Sequence, residues 1–128
     1  MHTCEASGEA LRGEGPEAAA RARELTRGFL REAVPDGRAA GQDVLLVVSE
    51  LVTNAVRHAG GLAGFRLRSG PGTVEVSVRD HSRATPLTGD PDPTCPGGFG
   101  WPLVRRLAES VDIRLHTSGK TITAVLAL

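Results

Sequence analysis

The residues from Ser49 to Ala59 read Ser-Glu-Leu-Val-Thr-Asn-Ala-Val-Arg-His-Ala. Glu50 and Asn54 stand four apart, so on a helix they share a face, with Arg57 and His58 one turn further along it. A carboxylate, an amide oxygen, a guanidinium and an imidazole would thus line one edge of an otherwise apolar helix. A hard cation such as Mg²⁺ takes oxygen ligands, often one or two from protein and the rest from phosphate and water. Asn54 offers one neutral oxygen, Arg57 suits phosphate oxygens, and Glu50 is left to act as a base. Taken alone, most such rows are ordinary solvated helix faces.

Two further places carry chemistry. Val78-Arg79-Asp80 ends an apolar alternating run, and a carboxylate at a strand end can accept a hydrogen bond from an exocyclic amine such as adenine's. The plainer role for Asp80 is to open a turn. Gly97-Gly98-Phe99-Gly100-Trp101-Pro102 leads into an apolar helical pattern. Gly98 and Gly100 would let backbone approach a ligand, and a helix N-terminus presents free N–H groups to phosphate. Gly119-Lys120-Thr121 looks like the end of a P-loop, but position 114 is Arg114 rather than glycine and the segment enters a strand pattern. It reads as a hairpin turn.

These residues need elements to hold them. Pro16 opens a helix whose stripe is Ala18, Ala22, Leu25 and Phe29, stopped by Pro35-Asp36-Gly37. Asp43 is placed to cap a second helix that runs to Gly60-Gly61, with Leu45, Val48, Val52, Ala55 and Ala59 inward. The period then becomes two. Phe65 and Leu67 alternate with arginines, Gly70-Pro71-Gly72 turns the chain, and Val74, Val76 and Val78 return it as the second strand of a hairpin. Residues 81–99 hold prolines and glycines at a density that requires a loop. A third helix turns Leu103, Val104, Leu107 and Ala108 inward. Two closing strands carry Ile113 and Leu115, then Ile122, Ala124 and Leu126. Residues 1–15 read as a loose leader, with a short strand near Ala10–Leu11 as an alternative, and residues 16–128 as one domain. The order implies an α+β fold, a mostly antiparallel sheet with helices on one face.

Composition narrows the function classes. The 128 residues are 40% hydrophobic but only 3% aromatic, with no Tyr, so aliphatic side chains must fill the core. Fifteen basic residues balance fifteen acidic ones, which leaves no excess to grip a phosphate backbone and argues against nucleic acid. No apolar run is read as membrane-spanning and no signal core is present at the N-terminus, so the expected compartment is the cytoplasm. Cys4 and Cys95, distant and outside any CxxC arrangement, are expected to be free thiols.

In order and spacing these pieces resemble the histidine-kinase-like (GHKL) ATPases, and among them the small anti-sigma-factor serine/threonine kinases of bacterial regulatory switches. Residues 49–59 resemble that family's N box, Val78-Arg79-Asp80 the start of its first glycine box, and residues 98–104 its second. Gly119-Lys120-Thr121 resembles its closing Gly-x-Thr turn. After Asp80, where the family pattern has glycines, this chain has His81-Ser82-Arg83-Ala84, and Trp101 stands where a smaller aliphatic residue is usual. The resemblance implies a two-layer α/β sandwich of the Bergerat type, with a mixed, mostly antiparallel sheet. It implies ATP and Mg²⁺ as cofactors, with Asn54 on the metal, Glu50 polarising the attacking hydroxyl, Arg57 on phosphate and His58 along the nucleotide. Asp80 would hold the adenine amino group with Thr121 supporting it directly or through water, Gly98 and Gly100 would lie under the phosphates, and residues 85–97 would form a lid. The partners implied are a sigma factor and an anti-anti-sigma protein of the small sheet-and-helix (STAS) type, with homodimers common. A module that binds nucleotide and partner without transferring phosphate is the alternative. The catalytic half of a two-component histidine kinase is a further one, although no phospho-acceptor helix is read ahead of residue 16.

Overall fold

The computed structural model describes residues 5–7, 16–33, 38–84 and 100–128. The expected lid at 85–97, Gly98, Cys4, Cys95 and the alternative strand at Ala10–Leu11 lie outside them.

Helix α1 spans Pro16–Ala33, with Glu17 in its first turn and Arg31 in its last, each at the end of the helix dipole that favours its charge. Ala18, Ala22, Phe29 and Leu30 are buried along one stripe. Thr26 falls on the same stripe, and its hydroxyl donates back to the carbonyl of Ala22 at 2.6 Å, so the polar atom enters the core already paired. Helix α2 spans Arg38–His58 and begins before Asp43, which lies inside the helix rather than at its cap. Its buried stripe is Val44, Val47, Val48, Leu51, Val52, Ala55 and Ala59. The expected Leu45 is only partly buried, and Leu46 is exposed. Residues 39–58 are long and apolar enough, by length and composition, to cross a bilayer, contrary to the expectation that no run approaches this. In this fold the apolar side of that helix is buried against the sheet.

Strands β1 (Glu5–Ser7), β2 (Leu62–Gly70), β3 (Thr73–Asp80), β4 (Ser110–Leu115) and β5 (Lys120–Ala127) form one sheet in the order β1-β2-β3-β5-β4. Every pairing is antiparallel, so the mixed sheet implied by the family resemblance is here wholly antiparallel among the described residues. Glu5–Ser7 pairs with β2 and thus takes a place in the sheet within the segment expected to be loose. The β2–β3 turn lies at Pro71-Gly72, where Gly72 has φ +69°, a conformation that costs glycine nothing.

The helices cover one face of the sheet. Phe65, Leu67, Val74, Val76, Val78, Ile122, Ala124 and Leu126 point into that layer and are nearly or wholly buried, as the alternation requires. Helix α3 (Gly100–Leu107) adds Trp101 and Val104. Trp101 Nε1 is buried with no hydrogen-bond partner among the described residues. On edge strand β4, Val111 and Ile113 are half-buried, whereas Leu115, the last residue of the strand, is 48% exposed. The opposite face carries Arg66, Arg68, Glu75, Ser77, Arg79, Asp112, Arg114, Thr121 and Thr123, and no helix among the described residues lies on it.

Candidate functional site

Helix α2 is the middle helix of the layer, packed against both α1 and α3. Leu45, Leu46 and Ser49 border a groove shared with Arg23 and Arg27 of α1. Glu50, Asn54 and Arg57 follow on the flank turned away from α1, because each residue advances about 100° around a 3.6-residue helix. Glu50 and Asn54 are half-buried, while Arg57 and His58 are exposed at the helix end. Burial raises the Glu50 carboxyl above the usual carboxylate range, and the positive charge of Arg57 partly offsets that. A base with its proton affinity raised and its flank open to solvent suits proton abstraction from a hydroxyl. The neighbouring amide and carboxylate oxygens are hard donors, a set that fits Mg²⁺ shared with phosphate.

The end of α2 is tied to the exit of β3. Gly60 and Gly61 take φ +76° and +111°, and the Gly61 amide turns back to the carbonyl of Ala55 at 2.9 Å. The His81 amide then donates to the carbonyl of Ala59 at 3.0 Å. This backbone bond sets Asp80 beside the C-terminal end of the helix that carries Glu50 and Asn54.

Asp80 sits on the helix-covered face and is only 3% exposed, although its side chain is a carboxyl group. Its Oδ1 accepts the Ser82 amide at 2.9 Å, a side-chain turn that carries the chain out of β3 without glycine. Its Oδ2 is 2.8 Å from Nζ of Lys120, a side chain nearly as buried. Nζ also donates to the carbonyl of Ser82 at 3.2 Å. The register explains the meeting, since Asp80 and Lys120 are direct cross-strand partners on β3 and β5. Gly119 permits it: a Cβ there would fall 2.0 Å from the backbone oxygen of Asp80, so no other residue fits without displacing the turn. Arg83 reaches over to the carbonyl of His116 and fastens the β3 exit to the β4–β5 turn.

Thr121, expected to support Asp80, stands opposite Arg79 in the register and so points to the uncovered face. There its hydroxyl shares a 2.7 Å hydrogen bond with Nε2 of His116. The structure therefore brings Lys120, not Thr121, to Asp80. Lys120 is the neighbour of Asp80 that sequence reasoning missed. Its signal was the inward placement of Ile122, Ala124 and Leu126, which fixes the parity of residue 120. Gly100 is the first residue of α3, in keeping with a glycine at the helix entry.

A broad depression of about 750 Å³ lies on the uncovered face, bordered by Arg66, Glu75, Arg79, Arg114, Thr121 and Thr123. Neither Glu50, Asn54, Arg57 nor Asp80 borders it. The chemistry of the α2 flank lies on the other side of the sheet, and the size of the depression does not make it the site.

The profile of the histidine kinase-like ATPase domain matches residues 14–126. No curated protein sequence matches the chain. Among solved structures, the crystal structure of the RsbU and RsbW domains of Rv1364c from Mycobacterium tuberculosis shares the fold, with a TM-score of 0.64 at 19% identity. The match covers all of this chain and 33% of that one, so this chain spans about a third of its neighbour's length.

Proposed function

The chain belongs to the histidine kinase-like ATPase family, and from that premise we propose that it is an ATP-binding regulator that transfers phosphate to a serine or threonine of a partner protein. The observation that carries the reading is Glu50, a half-buried carboxyl of raised proton affinity one turn before Asn54. Asn54 would hold Mg²⁺, Arg57 the phosphates, His58 the side of the nucleotide, Asp80 the base, and Gly98 and Gly100 the phosphate turn. Bound Mg²⁺–ATP would supply the phosphoryl group. Glu50 would take the proton of the partner's hydroxyl as its oxygen becomes the nucleophile. The partners that fit are an anti-anti-sigma protein as acceptor and a sigma factor as the protein held, in the cytoplasm, with a homodimer as the assembly. A module that binds without transferring phosphate is the competing reading, favoured by His81-Ser82-Arg83-Ala84 standing where the family pattern has glycines.

Incubation with labelled Mg²⁺–ATP and candidate acceptors separates the two. Transfer to Ser or Thr is expected in the wild type. Glu50→Gln should keep nucleotide affinity while lowering transfer by about 10²–10⁴-fold, the usual contribution of a positioned acid–base group. Equal losses of affinity and transfer would place Glu50 in the binding shell instead. Nucleotide binding with no transfer to any acceptor would support the binding module.

A further inference from the structure

We propose that Lys120 reads the base together with Asp80 and makes the site tolerant of 6-keto purines, where a carboxylate alone would select 6-amino ones. The proposal rests on the reading of this site as a nucleotide site and adds a specificity residue to it.

The two side chains form a built pair rather than a chance contact. They are register partners, their charged atoms are 2.8 Å apart, and 5% and 3% of the side chains are exposed. Each is held a second time by Ser82, through its carbonyl on Nζ and its amide on Oδ1. Gly119 presses the turn against the β3 exit and fixes where residue 120 starts.

An ammonium has three donors and no acceptor, and each carboxylate oxygen has two lone pairs. The bonds above use two of the donors and one lone pair on each oxygen. One donor on the ammonium and one lone pair on each carboxylate oxygen remain, a cationic donor and an acceptor for a base to meet. A 6-amino purine presents an amine donor next to the N1 acceptor, while a 6-keto purine presents a carbonyl acceptor next to an N1–H donor. A lone carboxylate welcomes the amine and repels the carbonyl. With Lys120 in place the carbonyl meets a charged donor and N1–H meets the carboxylate, so that repulsion disappears. The amine also gains less, because the charge that would strengthen its bond is already compensated.

The test is competition of ATP, GTP and ITP against a fluorescent nucleotide, by equilibrium binding with Mg²⁺, on wild type and Lys120→Met. ITP isolates position 6, since it lacks the 2-amino group of guanine. The wild type should prefer ATP over ITP by less than about tenfold, the lower limit for one charge-assisted hydrogen bond. Lys120→Met should raise that ratio at least fivefold or so, chiefly through weaker ITP binding, with circular dichroism reporting that it folds. A wild-type preference above tenfold, or a ratio that the folded variant does not raise, overturns the proposal while leaving nucleotide binding intact. Should Lys120→Met not fold, the wild-type ratio decides by itself. A wild type that binds none of the three nucleotides overturns this proposal and the nucleotide reading together.

Discussion

The two faces of the sheet are made by the same strands, one residue apart. On the helix-covered face of β3 and β5, Val74, Val76, Val78, Ile122, Ala124 and Leu126 are buried and aliphatic until the last pair, Asp80 and Lys120. On the uncovered face the same strands carry Glu75, Ser77, Arg79, Thr121 and Thr123, with a 3.1 Å hydrogen bond between the hydroxyls of Ser77 and Thr123. Polar groups on the second face keep water as a partner, so their contacts contribute little; the Arg114–Asp112 pair there is largely exposed on both sides. The charged pair on the first face has given up water and must be satisfied within the protein. The same chemistry thus has very different consequences according to the parity of its position.

Breaking the buried pair is the severest test of that contrast. Asp80→Ala leaves the Lys120 ammonium buried beside only the Ser82 carbonyl, and should cost about 3–5 kcal/mol in urea unfolding. A loss under about 1 kcal/mol would mean the pair reaches water and the two faces are alike at this end. Thr121→Val makes the matching change one residue away. It removes the hydrogen bond to His116 on the uncovered face and should cost no more than about 1 kcal/mol, the usual net worth of a neutral hydrogen bond. Nucleotide affinity should be unchanged; a loss there would return Thr121 to the base site.

The smallest effect sharpens the contrast on the helix side. Because burial raises the proton affinity of Glu50 in the folded state, the native protein binds a proton more tightly than the unfolded chain does. Stability is then fullest below the unfolded pKa and falls as pH rises through the folded one. Glu50→Gln, which cannot ionise, should therefore unfold at a slightly higher temperature than wild type near neutral pH, with the gain vanishing below about pH 4. A neutral-pH loss would show that the carboxylate is stabilised by more than Arg57.

Periodicity made most of the architecture legible, because burial of one face imposes it. Val74, Val76 and Val78, the glycine turn at 70–72 and most of the α1 stripe follow from it, although Leu25 is only partly buried and Leu30 is buried in addition. Asp43 misled because its side chain suits a cap, while Arg38-Ala39-Ala40 upstream are strong helix formers that extend α2 past it. Residues 5–7 carry no alternating apolar signal, and their place in the sheet comes from pairing with β2 rather than from their own pattern. Leu115 has the right parity, but it is the last residue of its strand and stands exposed. At the site, the α2 row was readable from spacing. The meeting of Asp80 with residue 120 needed the cross-strand register, and a motif that ends in Thr drew attention to the neighbour on the wrong face.

Gly119 bears on how this site could change over generations. A side chain there would strike the backbone of Asp80, so that position is closed to substitution while the turn keeps its place. Position 120, one step on, has its Cα placed by the same contact, while its side chain is held by Asp80 and Ser82 rather than by the turn. A single codon change at 120 can therefore exchange the group beside Asp80 with the turn left in place, provided that the new group still satisfies the buried carboxyl. The invariance demanded of one residue is what makes its neighbour a tuning position.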